Sequence, residues 1–404
     1  MVDNIKNKKV YYFFSLMLYE LFILGSGQLV HIIGSLTLRM LLFIISIILF
    51  LLMKKNVPSK VCHLCILFFI IHFFGIIVGG FNDGIIDNIV LDLKPLIYFY
   101  CILPFCCIPV KLMEKIPYII ISSTLLLSVL YLIYIVLMKI GIGGFLLDFT
   151  TVYDSMTEES DFMFRGDKGE LYYKGFIFLP IGAVFSFFYI KNMKYKLLAI
   201  SLLSLAIFYS QTRALLLLLI IGLFFAQLYK SKSKSLYVVL FFLIVYLMVS
   251  TIQDYMTETY ADRDSGDLLR ITTYNQVISS ISGCSILFGH GLGIGVPIRP
   301  IHMECAFLEI FHKQGLLGII FWFYYLFIIL NEFKGLNKKR KKYLFPYVLS
   351  VFMIYFQSFF NPYLINPMGL GFINLVYILI IKQKSYDISL YGNLQWRKIH
   401  CRAN

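Results

Sequence analysis

The chain is 404 residues long, 59% apolar and 17% aromatic, with only 14% charged residues and a mean hydropathy of +0.81. A soluble domain carries about 25% charged residues, so the composition excludes a water-soluble globular protein, a disordered chain and a disulfide-rich scaffold. The formal net charge of +14 suggests an acidic partner, but the placement of the charges gives another answer.

A helix needs roughly 20 mainly apolar residues to cross a bilayer. In chain order the sequence predicts such segments near 11–29, 34–53, 61–80, 93–110, 116–138, 174–190, 195–211, 213–229, 236–252, 305–331, 343–360 and 368–381. The expected fold is an all-α polytopic membrane protein with about 12 transmembrane helices, a single integral membrane domain over 1–404.

Lys and Arg in short connections mark the cytoplasmic side. With both termini cytoplasmic, the inner segments hold Lys6, Lys8 and Lys9; Lys54, Lys55 and Lys60; Lys111 and Lys115; and Lys191, Lys194 and Lys196. They continue with Lys230, Lys232 and Lys234; Lys334, Lys338, Lys339, Arg340, Lys341 and Lys342; and Lys382, Lys384, Arg397, Lys398 and Arg402. Acids sort the other way. The positive charge thus reads as a topology signal and an attraction to anionic membrane lipids, not as a nucleic-acid footprint. Residues 382–404 are expected as a cytoplasmic tail, in a bacterial inner membrane.

Two connections on the opposite, extracytoplasmic side are long, 139–173 and 253–304, and long loops are usually functional or disordered. The first is acidic, with Asp148, Asp154, Glu158, Glu159, Asp161, Asp167 and Glu170. The second mixes Asp262, Arg263, Asp264, Asp267, Arg270 and Arg299. Any active surface should lie there. Arg263, between two aspartates, reads as a local ion pair.

Arg213 follows Ser210-Gln211-Thr212 and precedes five leucines. It reads either as an interfacial anchor or as a fork for a lipid-linked phosphate, since a guanidinium binds oxyanions bidentately. The run Gly289-His290-Gly291-Leu292-Gly293-Ile294-Gly295 lacks the strand and the Lys-Ser/Thr of a nucleotide loop, so it reads as a loop lying close to another backbone. His302 follows Arg299 and precedes Glu309 by seven residues, two helical turns, which would put both on one face. Glu309 and Lys313, spaced by four, suit a helix ion pair. Cys62-His63-Leu64-Cys65 sits in an apolar span with no second ligand pair, so no metal is expected. A Cys284–Cys305 disulfide stays open.

The run His302-Met303-Glu304-Cys305-Ala306-Phe307-Leu308-Glu309-Ile310, then Gly315-Leu316-Leu317-Gly318, resembles the His, Leu-Glu, Gly-x-x-Gly signature of Wzy-type O-antigen polymerases and O-antigen ligases. The Ser-x-x-Arg at Arg213 and the Gly-x-Gly loop before the His are similar to that superfamily as well, and Arg39 is a weaker similarity. Met303 stands where those proteins often carry Asn. The resemblance implies a GT-C-like membrane glycosyltransferase that needs no metal or other cofactor. Its donor would be an undecaprenyl-diphosphate-linked oligosaccharide, and a flippase and chain-length regulators are its implied companions. It also implies that Arg213 and Arg270 grip the diphosphate with Arg299 in support. His302 would be the catalytic base, and Glu309 and Arg39 would lie on the substrate-binding side. A ligase that hands glycan to lipid A–core needs the same grip. A transporter is the alternative from another class, with Glu20, Arg39, Lys94, His63 and His72 as its ionisable groups, and Glu20 would then pair with Arg39.

Overall fold

The structure, a computed structural model, describes residues 2–27, 29–140, 162–165, 170–231 and 264–400. The segment 236–252, Arg263, and the acidic residues Asp148, Asp154, Glu158, Glu159, Asp161, Asp167 and Asp262 lie outside these residues. Every other apolar segment is largely helical, although 24–27 and 34–37 lie outside helices and 93–110 is divided among several short elements.

Helix α1 (Val2–Ile23) leads through a hairpin, β1 (His31–Ile33) and β2 (Leu36–Thr37), into α2 (Leu38–Met53). The Thr37 side chain accepts the Met40 N–H and so caps α2. Next come α3 (Ser59–Phe81) and α4 (Ile86–Leu96). The latter starts earlier than the run from 93 suggests, which puts Asp92 inside a helix. Pro95 removes one ladder donor, and the chain tightens into a 3₁₀ turn over Ile97–Cys101 before α5 (Ile102–Phe105). The short α6 (Val110–Met113) precedes α7 (Ile116–Ile140). Within the expected 139–173 loop, β3 (Phe162–Arg165) pairs antiparallel with β4 (Glu170–Tyr173).

Helices α8 (Phe178–Tyr189), α9 (Met193–Tyr209) and α10 (Arg213–Lys230) follow. Within the expected 253–304 loop lie α11 (Asp264–Ser280) and the single turn α12 (Ser285–Phe288). The α11 sequence has no long apolar run, so a search for spans passes over it. The chain closes with α13 (Ala306–Lys334), α14 (Lys338–Gln357) and α15 (Pro367–His400).

Among the described residues, five helices are long and apolar enough to cross a membrane: Ser59–Phe81, Ile86–Phe105, Ile116–Met138, Arg213–Lys230 and Ala306–Lys334. Their outward faces suit lipid. On α3, Phe69, Ile70, Phe73 and Phe81 are all exposed, a density of apolar surface that water would not tolerate. Inside, one continuous core runs from Phe14 and Leu18 through Phe99 and Phe178 to Trp322 and Phe372.

Hydrogen bonds between connections define the two ends of the bundle. At one end, the Tyr173 hydroxyl donates to Ile23 O, the Tyr131 hydroxyl reaches Leu171 O and Tyr209 O, and Ala306 N–H donates to Ser358 O. At the other end, Glu332 is buried between Lys60 and Lys384, and the Lys382 ammonium donates to Ile108 O. The lysines from 54 to 60, 111 to 115, 191 to 196 and 334 to 342 belong to this second end.

Close helix contact depends on small residues, as between membrane helices generally. A Cβ on Gly182 of α8 would sit 2.1 Å from Thr124 Oγ1 of α7. Gly182→Leu is therefore expected to lower stability by about 1–3 kcal/mol through overpacking, read as an earlier thermal transition of the purified protein in detergent.

Candidate active site

The loop with alternating glycines is built by backbone geometry. Gly289, Gly291 and Gly293 all have positive φ, and a Cβ on Gly291 would lie 1.9 Å from Gly79 N of α3. Only glycine permits that approach. The sequence expectation of a loop pressed against another backbone holds, with α3 as one partner. Leu292 N–H donates to Gly75 O at 2.9 Å, and Asn82 Nδ2 donates to His290 O.

The other partner is a break in α13. Gly315 adopts φ 62°, ψ −156° inside that helix, a conformation essentially reserved for glycine. The break takes the carbonyls of His312 and Lys313 out of the helical ladder. The loop satisfies both, because His290 N–H donates to His312 O at 2.8 Å and Gly291 N–H donates to Lys313 O at 3.0 Å. Buried backbone acceptors must find such partners. The same contact brings the His290 and His312 rings into a stack, centroids 4.5 Å apart.

These two features place a charged cluster at the start of α13. The Lys313 ammonium, 3% exposed, spends its three protons on Asp92 Oδ1 at 2.7 Å, Glu309 Oε1 at 2.7 Å and Ile301 O at 2.5 Å. Asp92 Oδ2 accepts Gly293 N–H at 2.8 Å and Glu309 Oε2 accepts Met303 N–H at 2.9 Å. His302 closes the cluster. Its Nδ1 lies 3.2 Å from Glu309 Oε1 and 3.5 Å from Asp92 Oδ1, and its side chain is half exposed while both carboxylates are buried.

Charge accounting gives the cluster a direction. Two carboxylates face one ammonium, so a neutral imidazole leaves one negative charge in excess and an imidazolium balances it. With Nδ1 turned to the carboxylates, Nε2 is left with its lone pair outward, the tautomer a base requires. Asp92, His302 and Glu309 offer ligand atoms within 4.8 Å of one another, which is also a cation's spacing. Lys313 Nζ already bridges the two carboxylates there.

Two residues after His302 lies Glu304. Its Oε1 accepts from Arg299 Nη2 at 2.7 Å and its Oε2 from Arg270 Nε at 2.5 Å. All three side chains are partly exposed. One carboxylate thus joins the two arginines singled out in the sequence, one from α11 and one from the loop. Arg213 stands exposed at the first position of α10, three residues beyond Ser210 and at the same end of the bundle as His302.

Arg39 is held elsewhere. Buried, it binds Glu20 Oε1 at 2.8 Å and Gly25 O at 2.7 Å and lies beside the Tyr98 ring, so the expected Glu20–Arg39 pair forms between α1 and α2. His302 and Glu309 do meet, but not along a helix face. Helix α13 begins at Ala306, and His302 folds back over its first turn. Glu309 and Lys313 form the expected ion pair. Cys284 is an exposed free thiol and Cys305 a buried one.

Sequence reading missed Asp92 as a site residue and gave Glu304 no role. The signal for Asp92 was present: an acid inside an apolar helix is expensive in a bilayer and needs a partner. That partner is 221 residues away, beyond any local spacing.

Comparison with curated proteins finds 28% identity over 392 residues with the O-antigen polymerase of Shigella flexneri, covering 93% of this chain and 96% of that one. No family profile matches, and no solved structure does. The similarity supports the Wzy-type resemblance read from the sequence.

Proposed function

We propose that this chain, similar over 93% of its length to a Shigella flexneri O-antigen polymerase, joins lipid-linked oligosaccharide repeat units into O-antigen polysaccharide. It is a membrane glycosyltransferase of about 12 spans with a GT-C-like plan. Its donor is an undecaprenyl-diphosphate-linked repeat unit, and it acts at the outer face of the inner membrane with both termini cytoplasmic. The end of the bundle carrying His302 is then the extracytoplasmic one, in keeping with the lysines gathered at the opposite end. The long connections 139–173 and 253–304 belong to the outer side and 382–404 to the cytoplasm.

The reaction forms a bond between an acceptor hydroxyl oxygen and the donor's anomeric carbon. The bond from that carbon to the diphosphate oxygen breaks, and its electron pair leaves with the lipid diphosphate. A diphosphate is a good leaving group, so catalysis needs preorganised positive charge and a base. Arg270 and Arg299, drawn together by Glu304, supply the charge beside the base, and Arg213 adds to it from α10. His302 Nε2 takes the hydroxyl proton, and Glu309 stabilises the imidazolium through Nδ1. Because Lys313 Nζ already bridges the two carboxylates, this chemistry proceeds without a metal. Arg39 acts from a distance, by bracing α1 against α2. A flippase and chain-length regulators are its functional partners.

The observation that carries this reading is the pairing of the Arg270–Glu304–Arg299 bridge with a half-exposed His302 backed by buried carboxylates. The test is a strain lacking its own polymerase and producing the cognate repeat unit. Expression of this chain should restore a ladder of long O-antigen, and its loss should leave single lipid-linked units. Long unattached glycan after deletion would instead mark a ligase, and substrate translocation without a new glycosidic bond would mark a transporter. The similarity to a polymerase favours neither.

Each arginine is expected to matter separately. Arg270→Ala and Arg213→Ala should each lower the rate about 10- to 100-fold, the loss of one charged hydrogen bond to phosphate. Lysine should restore only part of it, because an ammonium lacks the bidentate fork. Initial rates on a purified lipid-diphosphate repeat unit measure both effects.

A further inference from the structure

We propose that Asp92 of α4 is a positioning residue for His302, and that Lys313 sets how strongly Asp92 and Glu309 together hold the protonated imidazole. The inference rests on His302 as the base and extends the site to a helix far away in sequence. The contacts of Asp92 point beyond packing. Gly293 N–H and Lys313 Nζ already satisfy its two oxygens, so neither backbone nor ammonium requires the imidazole. Yet Nδ1 of His302 stands 3.5 Å from Oδ1, on the side shared with Glu309 Oε1. Such a separation is what a base shows before substrate binds; catalytic hydrogen bonds tighten as charge develops.

The groups facing His302 from each neighbouring element define its field. Helix α4 contributes Asp92, and α13 contributes Glu309 and Lys313. The segment around His302 contributes Arg299 and Glu304, which pair with each other and with Arg270 of α11. A proton arriving on Nε2 therefore meets a cluster one positive charge short of balance. Removing Asp92 abolishes that shortfall, whereas removing Lys313 doubles it.

The test is the pH dependence of polymerisation by the purified full-length protein in detergent, with a lipid-diphosphate-linked repeat unit as substrate. A base acts only in its unprotonated form, so the acidic limb of kcat/KM reads how strongly the cluster holds the proton. Asp92→Asn should move that limb to lower pH by about half a unit to one unit and lower kcat several-fold with little change in KM. Lys313→Gln should move it to higher pH, and Asp92→Glu should keep it near the wild-type position. Opposite shifts from two members of one cluster are not produced by a merely structural role. If Asp92→Asn does not accumulate, Asp92→Asn/Lys313→Gln takes its place, and its limb should lie below that of Lys313→Gln alone. An unmoved limb in Asp92→Asn, or in the double variant relative to Lys313→Gln, with His302→Ala inactive, removes Asp92 from the mechanism and leaves the proposed base standing. An active His302→Ala removes both.

Discussion

His302→Ala is expected to abolish long O-antigen while the protein still accumulates in the membrane at the wild-type level. Loss of a positioned base costs about 10²–10⁴-fold in rate, enough to erase the ladder in a complemented strain. Folding should survive, because the imidazole is half exposed and, among the described residues, it contacts the two carboxylates, each separately held by Lys313 and a backbone N–H. His63→Ala, on an exposed position of α3, is the matched control and should leave the ladder intact. A normal ladder from His302→Ala would remove the base from the reading.

The second large effect is expected at Gly315. An alanine there meets two separate penalties. Its backbone must hold φ 62°, ψ −156°, at about 1–3 kcal/mol for a residue with a Cβ. That Cβ also lies 2.4 Å from Leu287 C and O and 2.6 Å from Gly289 N, rigid backbone atoms whose displacement adds a similar amount, about 1–3 kcal/mol. If α13 straightens to relieve this, the His312 and Lys313 carbonyls return to the ladder. The N–H groups of His290 and Gly291 then lose their acceptors. Gly315→Ala should thus lower the melting temperature in detergent and lose activity together. Leu316→Ala, one residue on and partly exposed, should change little by comparison. A stable, fully active Gly315→Ala would show that the break is dispensable.

The helices were legible because a bilayer imposes length and apolarity on each crossing, and runs such as 61–80 and 116–138 carry that demand openly. The 264–280 helix was not legible, since Asp264, Asp267, Arg270 and Thr273 interrupt any apolar run and the tertiary context forms it. In the site, Arg270, Arg299 and His302 stood out as charged or titratable residues on a side otherwise poor in basic ones. The meeting of His302 with Glu309 was expected for the wrong reason. Seven residues suggested two helical turns, whereas a fold-back through Met303 makes the contact. Asp92 and the Glu304 bridge escaped because their partners arrive from other elements, and a single sequence holds no record of which distant segments touch.

The docking of 289–293 onto Gly75, Gly79, Asp92 and the broken helix has a consequence for anyone exchanging parts between relatives to change the sugar polymerised. The segment 289–304 is keyed to two distant stretches of chain through main-chain atoms, like a cassette that fits one slot. A chimera that transplants 253–304 alone should assemble poorly, whereas one that brings 72–93 and 305–318 with it keeps lock and key from the same parent.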